Sequence, residues 1–168
     1  GAAERMTARP SEPNDTPRKA NQRGAARLAA VQALYQMDVA GTDLNDILAE
    51  FKSHWIGREV EGEQYLPAQT SFFRSLVTGV LNEQRRIDPL IDGALAKGWP
   101  LKRVETMLRA ILRAGTYELL CVEDVPARVI ATEYADIGSA FLDKDETGMI
   151  NAVLDQLGRQ FRATEFSG

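Results

Sequence analysis

RAILRAGTYELLCVEDVP, residues 109–126, decides the fold. Within it Ile111, Leu112, Gly115 and Leu119 recur at three- and four-residue steps and extend a face begun by Val104 and Leu108. That spacing is the period of an amphipathic helix and not the alternation of a strand. The Asp-Val-Pro at 124–126 ends the pattern, and Pro126 suits the first turn of another helix. Gly115 in mid-helix costs about 1 kcal/mol against alanine, so a neighbouring helix is expected to pack closely there. INAVLDQLGR, residues 150–159, reads as a compact partner helix with one asparagine near its start. Neither segment has the make-up of an active site. Both read as scaffold that presents a surface.

Outward from that stretch the helical period continues. A first helix begins near Arg18 and repeats Leu28, Val31, Leu34 and Tyr35; Gly41 stops it, and Asp43 is placed to cap a second helix from about Leu44 to Trp55. Residues 57–67, with Gly57, Gly62 and Pro67 among charges, read as a loop. Phe72, Phe73, Leu76, Val77, Val80 and Leu81 form the stripe of a third helix, and Ile87, Leu90, Ile91 and Leu95 that of a short fourth, broken at Gly98-Trp99-Pro100. After the fifth, a sixth runs from Pro126 with Val129, Ile130, Tyr134, Ile137 and Phe141 expected inward. A polar connection over 142–148 leads to a seventh with Met149, Ile150, Val153, Leu154, Leu157 and Phe161. With no alternating strand and no internal repeat, the prediction is an all-α, single compact domain of about seven helices over residues 18–163. Residues 1–17, with almost nothing to bury, are expected to be a disordered tail, with Met6 as the native start and Gly1–Arg5 a remnant ahead of it.

The 168 residues carry a net charge of −4, unevenly spread. Residues 1–37 hold six basic and three acidic side chains, so that end is +3 and the remainder −7. Between Thr16 and Met37 there are four basic residues and no acid. A basic end on an acidic body suits a polyanion-binding edge, and a solvated basic tail is the plain alternative. No apolar run approaches the ~18 residues of a membrane span, and no secretory leader is visible, which points to the cytoplasm. The single cysteine, Cys121, lies in an apolar stretch; a buried thiol there fits a reducing compartment.

Catalytic signatures are missing. There is no Walker loop, GxGxxG, CxxC or HExxH. With one His and one Cys, no metal-ligand spacing emerges. His54 lacks a recognisable partner for acid–base work. Asp143, Asp145 and Glu146 read as a solvated loop with a helix cap, since acids favour helix starts. The expectation is therefore a protein that is not an enzyme, with no catalytic residues, metal or cofactor.

Five stretches taken in order carry a family resemblance: RLAAVQALYQMD (27–38), FFRSLVTGVL (72–81), RAILRAGTYELL (109–120), DVPARVIATEYADIGSAF (124–141) and INAVLDQLGR (150–159). Together they resemble the NusB family of bacterial transcription antitermination factors. The resemblance implies a seven-helix fold and binding of the single-stranded box A element of nascent RNA, together with ribosomal protein NusE. It further implies joining RNA polymerase, with other Nus factors, to read through terminators in ribosomal RNA operons. For the RNA face it nominates Arg23, Arg27, Phe141 and Asp145, with Tyr35 near the surface shared by RNA and NusE. Arg18 and Lys19 precede them in a flexible lead, and Arg23 and Arg27, four apart, share a helix face. Such cations neutralise phosphates and give affinity but little sequence choice, which needs stacking and base-edge hydrogen bonds. Gln32 could reach a base or bond to backbone, Phe141 could be core, and Asn151 is expected to bond backbone at the start of the last helix. Arg113 and Glu118 read as structural, an arginine between helices pairing with a carboxylate.

The chain departs from the family pattern in three places. Gly24 and Ala25 interrupt a region often dense in arginine. Gly148 and Met149 stand where a basic-aromatic pair is common. Leu108 occupies a position often acidic, which bears on the contact with the partner protein. Two other readings stay open: an accessory domain of an RNA methyltransferase, which would need a further α/β domain, and a purely protein-binding helical module. An apolar helix face would serve a homodimer or a protein partner alike, and periodicity does not choose.

Overall fold

The computed structural model describes residues 16–60, 66–95 and 104–167, with side chains over 23–53, 69–95 and 104–167. Residues 1–15 of the expected 1–17 tail and the Gly98-Trp99-Pro100 break lie outside the described residues, as does the side chain of His54; Thr16 and Pro17, given to that tail by the sequence reading, open the first helix. Among the described residues six helices follow in order: α1 Thr16–Ala40, α2 Leu44–Val60, α3 Leu66–Ala94, α4 Thr106–Cys121, α5 Ala127–Phe141 and α6 Lys144–Phe161. A short 3-10 turn, Ala163–Glu165, closes the chain. No strand occurs among the described residues.

The opening stretch forms α4, and α4 is the central element, packed against α1, α3, α5 and α6. Its predicted face is the core: Leu108, Ile111, Leu112, Gly115 and Leu119 are all buried. Glu105 caps it, its carboxylate accepting from the amides of Met107 and Leu108. Gly115 provides the close approach expected of it: an added Cβ would lie 2.8 Å from Leu154 Cδ1 of α6. Gly41, at φ 71°, ends α1, and Asp43 accepts from the Asn45 amide to start α2.

Four expectations are corrected. The predicted third and fourth helices are one, α3, with Pro89 inside it. The buried row Phe73, Leu76, Val77, Val80, Ile87, Ile91 keeps helical phase throughout; the half-buried Gln84 holds its place in that row while Asn82, Arg85 and Arg86 face solvent, so the polar run 82–86 is not a break. α2 continues to Val60, and α6 starts at Lys144, shortening the predicted connections. Val129, Phe141 and Phe161, expected inward, and Leu28, read as part of the first helix's apolar stripe, are exposed; a stripe read from spacing alone is wider than the faces these helices bury, α1 against α3 and α4, and α5 and α6 against each other and α4. Cys121 is exposed at the last residue of α4.

Arg113 holds Asp88 through two bonds of 2.9 Å, tying α4 to α3 as expected of a structural arginine. Asp143 and Glu146 form a reciprocal capping box at the start of α6.

Candidate nucleic-acid and partner interface

Leu28, Gln32, Tyr35 and Val39 lie at steps of four, three and four on α1, and all are exposed. α1 therefore turns Val31 and Leu34 into the core and presents a second, outer row. That row borders a groove of about 570 Å³ lined by Gln32, Tyr35, Gln36, Val39, Ala40, Glu105, Met107 and Phe141. Gln32, Tyr35 and Phe141, nominated separately from the sequence, thus share one concavity. Phe141, 44 % exposed, is not core. The groove offers two aromatic faces and two amide side chains, and its one charged residue, Glu105, is already bonded to amides of α4. Rings and amides suit base stacking, base-edge contacts or the apolar part of a protein partner.

The arginines are placed less simply. Arg27 is 3 % exposed. Its Nε and Nη2 bond Glu118 at 2.7 and 3.0 Å, and Nη1 reaches Glu133 at 3.4 Å. Tyr134, fully buried, donates its hydroxyl to the same Glu118 carboxylate. Burial opposes the Arg27 charge, but the bonds to Glu118 outweigh it and hold its pKa above the ordinary value. Burial, and then the Glu118 charge, pushes the Tyr134 phenol well up. Arg27 is therefore a buried structural cation, and its nomination as a phosphate contact is corrected: the face it shares with Arg23 turns under α3 and α5 one turn farther along.

Arg23 remains at the surface, 23 % exposed, 3.1 Å from the half-exposed Asp124. Its guanidinium lies 4.6 Å from the Phe72 ring centroid, with Arg27 at 5.4 Å from the same ring. Arg18 and Lys19 lie in the first turn of α1, but their side chains fall outside the described residues. Leu108, nominated for a partner contact, is 1 % exposed and belongs to the core; its neighbours Glu105 and Met107 line the groove in its place. Asp145 is exposed in the first turn of α6, between the capping residues Asp143 and Glu146. Gln32 is exposed, not a buried backbone-bonding amide, and Asn151 is exposed too, with no hydrogen-bond partner among the described residues. Val39, Gln36 and Met107 went unread in the sequence, although the 28–32–35–39 spacing marks the first of them.

Among the described residues no cluster of ligands could hold a metal, and no helix is long and apolar enough to cross a membrane.

A family model described as the NusB family matches residues 24–159. A transcription antitermination protein NusB of Bradyrhizobium diazoefficiens is 66 % identical over 151 residues, 90 % of this chain and 92 % of the relative. Its counterpart in Rhodopseudomonas palustris is 65 % identical over 150 residues, 89 % of each. Among solved structures, NusB of T. maritima superposes with a TM-score of 0.72 at 26 % identity, covering 86 % of this chain and 96 % of that one. The antitermination factors NusB and NusE in complex with double-stranded RNA give 0.69 at 20 % identity, covering 84 % and 98 %; at that identity the likeness speaks for the fold.

Proposed function

The chain belongs to the NusB family of transcription antitermination proteins, and from that premise we propose that it binds the single-stranded box A element of nascent RNA together with ribosomal protein NusE. In this reading the pair joins the RNA polymerase elongation complex with other Nus factors, in the cytoplasm, and promotes processive transcription of ribosomal RNA operons. The chain acts as an adaptor and not as an enzyme. One observation carries the reading: Gln32, Tyr35 and Phe141 line a single groove on α1, the helix whose N-terminal half carries Arg18, Lys19 and Arg23. A solved relative pairing NusB with NusE and double-stranded RNA supports the RNA and NusE parts of this reading.

Arg18, Lys19 and Arg23 supply the phosphate contacts, and Tyr35 and Phe141 supply stacking, with Gln32 at a base edge and Asp145 at the opening of α6. NusE takes the apolar end of the groove around Tyr35, Val39 and Met107. With Arg27 buried, about three phosphate contacts remain, so log K against log salt should fall with a slope near −2 for a single strand. Fluorescence anisotropy of box A RNA, with and without NusE, tests this. Arg23→Ala and Tyr35→Ala should each weaken binding several-fold, and the two ligands should strengthen one another because they adjoin. A coupling free energy near zero, or equal affinity for duplex RNA of the same sequence, would sink the assignment.

A purely protein-binding role has one observation in its favour: Arg23 and Arg27 both have carboxylate partners within the chain. A salt slope near zero with intact NusE capture would select it.

A further inference from the structure

A second groove, of about 660 Å³, runs between α5 and α6. Its walls are low: Ala127, Ala131, Gly148 and Ala152 line it, and a Cβ added at Gly148 would meet nothing within 4 Å. Thr132, Asn151 and Asp155 supply its polar groups. Arg128, in the first turn of α5, closes one end. It is exposed, and its guanidinium rests 4.9 Å from the Phe166 ring centroid. Arg159 lies 4.7 Å from the same ring and also bonds Asp155 at 2.9 Å. Phe166 is itself anchored, packing against Gly158 at the end of α6. One fixed ring thus holds two long cationic side chains in place, so a ligand need not order them on binding.

We propose that this groove holds nucleotides of single-stranded RNA that continue past the first face; the proposal rests on the RNA-binding reading above. A wide floor of small side chains admits a planar base. The exposed Asn151 amide offers both a donor and an acceptor to a base edge. Arg128, and Arg159 beside it, meet the phosphates. RNA is the occupant of choice because Arg128 and Arg159 set cations beside a floor of small side chains, and Gly148 follows by three residues Asp145, which the reading above gives to the RNA face. A strand leaving the first face past that opening enters the groove and runs toward Arg128.

The test uses the full chain with NusE and three RNAs: a box A oligomer, and the same oligomer lengthened by about four uridines at its 5′ or its 3′ end. One of the two extensions should raise affinity about tenfold and steepen the salt slope by about 1.4, the share of two phosphates. In Arg128→Glu the gain should shrink below about twofold, while the short oligomer binds as before. A gain that survives Arg128→Glu, or no gain from either extension, overturns the groove assignment and leaves the first face standing. Loss of NusE capture in Arg128→Glu with the length gain intact would give the groove to the protein partner and also overturn it. No binding of the short oligomer would bring down both readings.

Discussion

Arg23 and Arg27 sit one turn apart on α1, and what faces each decides what it does. Arg27 meets Glu118 in the interior and the partly exposed Glu133 at its edge, and removing one partner of the buried pair strands the other charge. Arg27→Ala should therefore destabilise the fold by about 3–5 kcal/mol, seen as a lower midpoint in urea, with RNA affinity of the folded fraction little changed. Arg23→Ala should leave the midpoint within about 0.5 kcal/mol and weaken RNA several-fold. Opposite outcomes for the two variants would reverse the assignment. Asp124 competes with phosphate for Arg23, so Asp124→Asn should raise RNA affinity about two- to fivefold at low salt, the worth of an exposed pair. An affinity equal to or below that of the parent would show that Asp124 is no competitor. The sequence placed both arginines on one face correctly. It did not reveal that Phe72, Glu118 and Glu133, from three other helices, converge on that face, because helical phase says nothing about what lies across from it. The same gap separates Leu108, whose neighbours in sequence reach the groove, from the groove itself.

At the scale of helices, periodicity served best where one face was continuously apolar. α4 and α6 match their predicted stripes nearly residue for residue, Phe161 excepted. α3 was divided because Asn82, Glu83, Gln84, Arg85 and Arg86 interrupt the apolar row; Gln84 takes a seam position between Val80 and Ile87, and Pro89 looks like a breaker. The α5–α6 pair depends on a contact that sequence could not flag. A Cβ at Gly138 would collide with Ile150 Cδ1, so the two helices close over a position only glycine fills. Gly138→Ala should cost about 1–3 kcal/mol through overpacking. Adding Ile150→Val, which removes the methyl in the way, should recover part of that loss in a double-mutant cycle. Strictly additive losses would mean that the clash is relieved by other movement.

Across the molecule, the residues after α6 fasten two other helix ends at once. Arg162 donates to the carbonyls of Glu118, Leu119, Val122 and Val125, the end of α4 and the turn after it. Glu165 accepts from the Ala127 amide at the start of α5 and from Arg162. The predicted domain limit at residue 163 cut through this clasp, since a short polar segment after a helix looks like a fraying end. The turn so held carries Asp124 and through it Arg23, so the C-terminus sets the pose of a candidate phosphate contact near the opposite end of the chain. The Ala127 amide, then Arg162, hold the Glu165 carboxyl below its ordinary pKa. A carboxyl depressed by folding contributes stability that is present above its unfolded pKa, about 4.3, and lost as pH falls through its folded value. Thermal melting of the parent and of Glu165→Gln between pH 7 and 3 should therefore show the parent more stable above about pH 5, with the gap closing as pH falls from about 4.3 through the lower folded value. Protection of the Ala127 amide against exchange should fall over the same acid range in the parent alone. Melting curves that stay equally separated down to pH 3 would mean that Glu165 does not hold the clasp through its charge.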